Sequence, residues 1–298
     1  MRTRAKTIVW ALGVLVGAII ILSVSAYLIL TIFGTDFHIQ DKIGVIPIKG
    51  PIVRSESIIS QLVNFRKDKS IKAIILRIDS PGGGVGPSQE IYREVIKTRE
   101  EKRVIASLGG IAASGAYYIA SAADKIVANP GTITGSIGVI VNFIQLHELF
   151  KKIGIGFEVI TSGEFKGMGS PHRKLTEKER ELIKNLVYEI KEQFIADVAK
   201  GRKLPIEDVE KIADGRIFTG SQAKRLKLLD ELGNFQDAVE IAKKLVGIKK
   251  EVSLVYPPKK RFRLLDLILG RYRDRLKEII EGTLNSPFQY RWNPIPYP

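Results

Sequence analysis

Apolar residues along the chain fall into short runs that are separated by amphipathic stretches. The runs at 42–48 and 71–78 are almost continuously apolar, and 104–108 has the same character. Runs of this kind are typical of strands buried in a parallel sheet. The stretches between them, 55–66 and 87–98, have helical periodicity. Because strands and helices alternate, the pattern predicts an α/β fold with right-handed connections.

The alternation continues through the second half of the chain. Short strands are predicted at 125–128 and 157–160, with a helix at 145–152 between them. A long helix is predicted to begin at Thr176, since Thr176 and Glu179 form an S/T-x-x-E capping box. Three short helices are expected after it, at 205–213, 220–226 and 235–246.

The N-terminal region contains a long segment without a charged residue, 7–33. It exceeds the ~20 residues with which a helix crosses a bilayer. Basic residues precede it in 1–6, and Asp36 follows it. By the positive-inside rule, the sequence predicts a single-pass transmembrane helix with a cytoplasmic N-terminus and the rest of the chain outside. A cleaved signal peptide is the alternative, but its apolar region would span only about 7–15 residues.

Composition narrows the kinds of site that the chain can hold. The sequence has no cysteine, which excludes disulfides, thiolate zinc sites and a cysteine nucleophile, and three histidines argue against a His-rich metal site. We therefore expect no metal and no cofactor. The chain has a net charge of +15 but no nucleic-acid-binding motif. A lipid surface is therefore the expected partner of this positive charge, rather than nucleic acid.

Two glycine-rich segments follow predicted strands, at 79–84 and 109–115. Ser114 lies near the start of the next predicted helix, where free N–H groups favour a negatively charged oxygen. Strand ends of one parallel sheet meet at one edge, so the N–H groups of Gly83 and Gly115 are predicted to converge there. This is the layout of an oxyanion hole, with Ser114 placed to attack the polarised carbonyl. Ordinary strand-to-helix turns, with Ser114 as an N-cap, are the alternative.

A serine nucleophile needs a base, and the sequence offers two main candidates. Lys166 is preferred because it lies in a glycine-rich loop, 162–171, and a lysine desolvated among small and apolar residues loses its charge readily. His172 follows the same loop and is the alternative, since histidine is the commonest general base. A solvated surface charge is the ordinary interpretation of any single lysine.

Four motifs occur in order along the chain. They are Ser-Pro-Gly-Gly at 80–83, Ala-Ala-Ser-Gly-x-Tyr-Tyr-Ile-Ala-Ser at 112–121, Thr-Gly-Ser-Ile-Gly-Val at 134–139, and Ser-Gly-x-x-Lys at 162–166. Together they resemble the signal peptide peptidase A (SppA) family of membrane-bound Ser/Lys peptidases. The resemblance covers about residues 40–247, and the spacing from Ser114 to Lys166 is similar to that of the single-domain members.

The resemblance implies a ClpP/crotonase-like fold of repeated ββα units for a peptidase domain at 42–247. It implies that Ser114 is the nucleophile, that Lys166 is the general base and that Ser136 hydrogen-bonds the lysine amine. Gly83 and Gly115 would form the oxyanion hole. It also implies a homo-oligomeric ring in which one active site takes its serine and its lysine from neighbouring protomers.

The sequence therefore predicts a membrane-anchored serine endopeptidase acting outside the cytoplasmic membrane. Its expected substrates are remnant signal peptides or other short, apolar, unfolded peptides. A crotonase-like acyl-CoA enzyme is an alternative, because it shares the two-loop oxyanion hole. A non-catalytic membrane scaffold with the same fold is another.

Two further segments flank the predicted peptidase domain, a linker at 34–41 and a tail at 248–298. The tail matches no motif of the family. Basic and leucine residues interleave at 257–277, which predicts an amphipathic helix on the membrane or on a neighbouring subunit. The proline-rich end, 286–298, is expected to be extended, with aromatic side chains that could occupy a substrate cleft.

Overall fold

The computed structural model describes residues 2–32, 41–258 and 288–291 of the chain. The chain divides into two units, Met1–Gln40 and Asp41–Pro298. The first contains helix α1, Arg2–Ile32, which covers most of the segment predicted to cross the membrane. Across the described ranges, no helix combines the length and the apolar composition that crossing a membrane requires. The predicted transmembrane helix is therefore not confirmed.

The second unit alternates strands and helices. The strands that the structure describes are β1 (Lys42–Lys49), β2 (Ile71–Ser80), β3 (Gly82–Gly84), β4 (Arg103–Ala113), β5 (Lys125–Ala128), β6 (Ile133–Gly135), β7 (Ile140–Val141), β8 (Ile217–Thr219), β9 (Glu231–Leu232), β10 (Ser253–Val255) and β11 (Phe288–Arg291). The described helices are α2 (Glu56–Lys67), α3 (Val85–Glu101), α4 (Gly115–Ser121), α5 (His147–Lys152), α6 (Glu177–Arg202), α7 (Ile206–Glu210), α8 (Gly220–Arg225) and α9 (Phe235–Leu245).

A mostly parallel sheet forms the centre of this unit. Its strand order is β10-β1-β2-β4-β5-β9. Strand β6 lies off this path and pairs with the C-terminal end of β4 and with β8. The pairs along the main path are parallel, as is β4 with β6, whereas β6 and β8 are antiparallel. The prediction of a mixed α/β fold with a parallel sheet is confirmed.

Both faces of the sheet are covered, which explains why its strands are apolar almost throughout. Ile74 and Leu76 of β2 point into the larger core cluster, which also contains residues of α2, α3, α4 and α6. Ala73 and Ile75 alternate with them and pack in a second cluster against Val239 and its neighbours on α9. Successive side chains of a strand point to opposite faces, so a strand covered on both sides has no polar face.

The predicted strand at 157–160 is wrong. This segment has no regular secondary structure and pairs with no strand among the described residues. Phe157, Val159 and Ile160 are 53%, 53% and 92% exposed. The apolar side chains that suggested a strand therefore belong to an exposed surface, and no sheet edge supplies hydrogen bonds to the segment.

A smaller sheet is formed by β3, β11 and β7, in that order. β11 is antiparallel to both neighbours, and its Tyr290 is the register partner of Gly83. The Tyr290 side chain is fully buried, with its ring centroid 4.7 Å from that of Phe194 and 5.3 Å from that of Tyr118. Residues 288–291 of the tail are thus extended, while the predicted amphipathic helix at 257–277 lies almost entirely outside the described residues.

Helix α6 begins with the expected capping box. The Glu179 N–H donates to Thr176 Oγ1 at 3.2 Å, and the Thr176 N–H donates to Glu179 Oε2 at 2.9 Å. Arg173 Nη1 also donates to Glu179 Oε2 at 2.8 Å. These hydrogen bonds, that from Arg173 above all, lower the pKa of the Glu179 carboxyl to about 2. The box fixes the start of a helix that lines the cavity described below.

Glu179→Gln is expected to flatten the acid dependence of stability. The folded-state pKa lies below the ordinary value of about 4.3, so the ionised carboxylate stabilises the fold above that value and loses this effect as the pH falls toward 2. Unfolding free energies from denaturant titrations between about pH 5 and 2 would measure the slope. Glu177→Gln, in which an exposed carboxylate of the same turn is changed, is the control. Equal slopes for wild type and Glu179→Gln would contradict the assignment.

Candidate active site

Ser114 lies at the junction of β4 and α4, in a backbone conformation that is unusual for a residue with a side chain. Its φ is +55° and its ψ is −121°. The Ser114 N–H donates to the Gly135 carbonyl at 2.7 Å, and its own carbonyl accepts from the Tyr118 N–H at 2.8 Å. The residue is 1% exposed. Its backbone is therefore held from both sides, which fixes the direction of the Cα–Cβ bond that carries the hydroxyl.

The two glycine-rich segments meet as predicted. A Cβ built on Gly82 would lie 2.8 Å from the Gly115 nitrogen, and one built on Gly83 would lie 2.1 Å from the Ile52 carbonyl oxygen. Only residues without a side chain allow this approach. Gly115 also lies against strand β11, since a Cβ built on Gly115 would lie 3.1 Å from the Tyr290 carbonyl oxygen. Gly83 and Gly115 therefore both lie beside the main chain of an extended segment.

The pairing of β4 with β6 places Ser136 next to Ser114. Ala113 of β4 is paired with Gly135 of β6, and the two serines are the residues that follow this pair. Ser136 also has a positive φ, +52°, and its N–H donates to the Arg216 carbonyl at 2.8 Å. Both serines line one cavity of about 780 Å³. Ser114 and Ser136 are thus brought to the same cavity.

Lys166 is not brought to this cavity within the chain. It is exposed, on a loop where its N–H donates to the Gly163 carbonyl at 3.1 Å, and it is not among the residues that line the cavity of Ser114. His172 is also elsewhere: its ring stacks on Phe157 with centroids 5.2 Å apart, beside a separate cavity. A single chain therefore holds the predicted nucleophile, Ser136 and glycines together, but leaves both candidate bases outside.

The sequence analysis missed the contribution of α6 to the site. Arg180, Lys184 and Lys191 of this helix line the cavity that holds Ser114, together with an apolar wall. The wall is contributed by Val139, Ile140, Val141, Phe143, Leu175, Ile183 and Val187. The spacing of the three basic residues, four and seven apart, could have shown that they share one face of the long helix. In the described ranges, no group of three or more His, Asp or Glu side chains is arranged to hold a metal ion.

Comparison with known proteins agrees with this architecture. The profile of Peptidase family S49 matches residues 96–249, and the profile of Clp protease matches residues 42–132. The second match accords with a ClpP-like fold for the parallel-rich sheet. The matched residues include Ser114, Ser136 and Lys166 in the first profile and Gly83, Ser114 and Gly115 in the second.

Several curated proteins are similar over most of the chain. A putative protease of Synechocystis is 42% identical over 230 residues, which are 76% of this chain and 83% of that protein. A putative signal peptide peptidase SppA of Enterococcus faecium is 37% identical over 190 residues, 63% of this chain and 55% of that protein. Protease 4 of Haemophilus influenzae is 34% identical over 228 residues, 73% of this chain and 37% of that protein.

The Peptidase family S49 profile covers just over half of the chain, and the Synechocystis relative is matched over most of its length. Both findings confirm the resemblance that the four motifs indicated. The chain therefore belongs to the serine peptidases of family S49, together with its relatives named SppA and Protease 4.

Proposed function

We propose that this protein is a serine endopeptidase with a Ser114/Lys166 dyad. The observation that carries the proposal is the position of β11, an extended stretch of polypeptide that lies between β3 and β7 and beside Gly115. A peptide substrate can pair with a sheet edge in the same way. This favours peptides over the acyl thioesters that a crotonase-like enzyme would take.

The proposed reaction combines the groups around Ser114 with Lys166 of a neighbouring subunit. A neutral Lys166 amine takes the proton of the Ser114 hydroxyl as its oxygen attacks the peptide carbonyl carbon. The N–H groups of Gly83 and Gly115 donate to the oxyanion that forms. The lysine then returns the proton to the leaving amine, and water hydrolyses the acyl-enzyme in a second round of the same steps. Ser136 hydrogen-bonds the lysine amine and keeps it directed at Ser114.

We propose that Lys166 acts on Ser114 of a neighbouring subunit in a homo-oligomer. Its loop borders a surface with many large, exposed, apolar side chains. Ile144, Leu149, Ile153, Phe157 and Ile160 are 60%, 52%, 58%, 53% and 92% exposed. Exposed apolar patches of this kind usually mark protein interfaces. Packing of this surface on a second copy would move Lys166 out of water and supply the base that a single chain lacks at Ser114.

The setting that we propose is a membrane. The uncharged segment 7–33 after a basic N-terminus supports a single anchor, with the peptidase domain outside the cytoplasmic membrane. The proposed substrates are remnant signal peptides and other short, apolar, unfolded peptides. The apolar wall of the Ser114 cavity supports this class.

Covalent labelling tests the proposed nucleophile. A fluorophosphonate probe is expected to modify Ser114 of the folded wild-type protein, as read from the labelled peptide by mass spectrometry. Heat-denatured protein is the control, because the reactivity depends on the folded site. The assignment would be contradicted if the probe labelled another serine, or if it labelled no residue of a protein that cleaves peptides. Hydrolysis of acyl-CoA thioesters without peptide cleavage would favour the crotonase-like alternative, and no activity on either would favour a scaffold.

A further inference from the structure

One wall of the Ser114 cavity is a strip of positive charge. Arg180, Lys184 and Lys191 lie on the same face of α6, and apolar Ile183 and Val187 lie between them. The acidic residues of the helix that are exposed line no part of this cavity; they are Glu177, Glu181, Glu189 and Glu192. The helix thus directs three of its cations toward the cavity and those carboxylates elsewhere.

These cations are poorly neutralised by the protein itself. Within the described residues, Lys184 and Lys191 form no ion pair, and Arg180 Nε is 3.7 Å from Glu177 Oε1 at the exposed end of the helix. Asp214 also lines the cavity. Its carboxylate accepts from Arg216 Nε at 2.7 and 2.8 Å, and this hydrogen bonding lowers its pKa to about 2. The carboxylate is therefore ionised but already paired.

This arrangement of positive charges does not stabilise helix α6. Like charges four residues apart, such as Arg180 and Lys184, destabilise a helix. The apolar side chains that share the cavity with them lower the local dielectric constant, which strengthens the attraction of the strip for an anion. A cavity shared by a buried serine, an apolar wall and unpaired cations is suited to a peptide that carries both an apolar side chain and a negative charge.

We propose that Lys184 and Lys191 form a subsite for a carboxylate of the peptide substrate. This inference rests on the proposed peptidase function and adds a specificity to it. The carboxylate is either an Asp or Glu side chain or the free C-terminus of a short peptide. The subsite selects apolar peptides that carry such a group near the bond to be cleaved, and it discriminates against the same peptides when that group is neutral.

The test uses binding, so that it does not depend on turnover. Fluorescent apolar peptides that differ only by Glu or Gln, each with a free or an amidated C-terminus, are titrated with the Ser114→Ala protein in its native assembly. Fluorescence anisotropy gives Kd. The acidic or free-carboxylate member is expected to bind about 10-fold more tightly, the lower end of the range for a hydrogen bond to a charged group. The preference should shrink at high salt. The four peptides separate a side-chain carboxylate from a C-terminal one.

Variants of the strip identify the residues responsible. Adding Lys184→Gln and Lys191→Gln to Ser114→Ala is expected to abolish the preference, with little change in the affinity for the neutral peptide. Lys200→Gln, which removes an exposed charge of α6 outside the cavity, should leave the preference intact. The two glutamine substitutions keep the first two methylenes of each lysine side chain, which limits the loss of packing that accompanies the loss of charge.

Several results would overturn the subsite. Equal Kd values for the Glu and Gln peptides and for both C-termini would do so. An undiminished preference in the double-glutamine variant would also do so. If that variant kept the preference but had a different oligomer mass in light scattering, the strip would be assigned to a contact between subunits. The proposed function fails separately: a wild-type protein that cleaves no peptide would refute the peptidase, whatever the binding preference.

Discussion

Ser114→Ala is expected to lower kcat/KM for peptide cleavage by ~10³-fold or more, because no acyl-enzyme forms without the hydroxyl. Stability should change by less than about 1 kcal/mol. The hydroxyl forms no hydrogen bond with the N-terminal backbone of α4, and the serine lines an open cavity, so alanine leaves no buried partner unsatisfied. Steady-state rates on a fluorogenic apolar peptide, together with thermal unfolding, measure both quantities.

Ser121→Ala is the matched control for this variant. Ser121 lies at the other end of the same helix, is fully buried, and donates to the Tyr118 carbonyl at 2.7 Å. Its removal is expected to cost about 1 kcal/mol of stability while activity is retained, which is the reverse of the Ser114 result. If Ser114→Ala cleaved the peptide at a rate near that of wild type, another residue would be the nucleophile.

Lys166→Ala is expected to cause a loss of activity as large as that of Ser114→Ala, ~10³-fold or more. Lys166→Arg should not restore it, since a guanidinium stays protonated at any usable pH and cannot accept the serine proton. Because Lys166 is exposed within the chain, neither change should alter the unfolding of a dissociated subunit. His172→Ala distinguishes the two candidate bases: it should be tolerated, and a comparable loss there would favour a histidine base.

Mixing the two inactive variants tests whether the dyad bridges subunits. In oligomers assembled at random from equal amounts of Ser114→Ala and Lys166→Ala chains, about one quarter of the shared sites contain both an intact serine and an intact lysine. Activity near a quarter of the wild-type value is therefore expected. Complete inactivity of mixed oligomers, verified by mass, would place the dyad within one chain and leave the two single-variant results standing.

The parts of the site that depend on neighbouring parallel strands were predictable. Although Ser136 is indicated only by the family resemblance, the glycine-rich segments could be placed together because β2 and β4 end at one edge of the sheet. Local pattern alone suffices for such inferences, since parallel strands in an α/β fold have a common direction. It also gave the α6 capping box, which requires residues only three positions apart.

The features that the sequence did not reveal depend on distant or missing partners. The pairing of Tyr290 with Gly83 joins residues from opposite ends of the domain, and no local periodicity encodes it. The strand predicted at 157–160 has the right residues, but in the part of the chain that the structure describes no neighbouring strand pairs with it. The cations of α6 were visible only as charges of a capped helix, because the cavity that they line also requires β7 and the loop before β8.

The positive φ of Ser114 brings the proposed reactivity of this residue into conflict with the stability of the fold. A residue with a Cβ at a φ of +55° carries about 1–3 kcal/mol of strain. Alanine keeps that strain, whereas glycine would relax it and remove the proposed nucleophile in the same step. The substitution that best relaxes this turn is therefore also expected to abolish peptidase activity, so selection of variants for heat resistance alone is expected to favour a more stable but inactive protein.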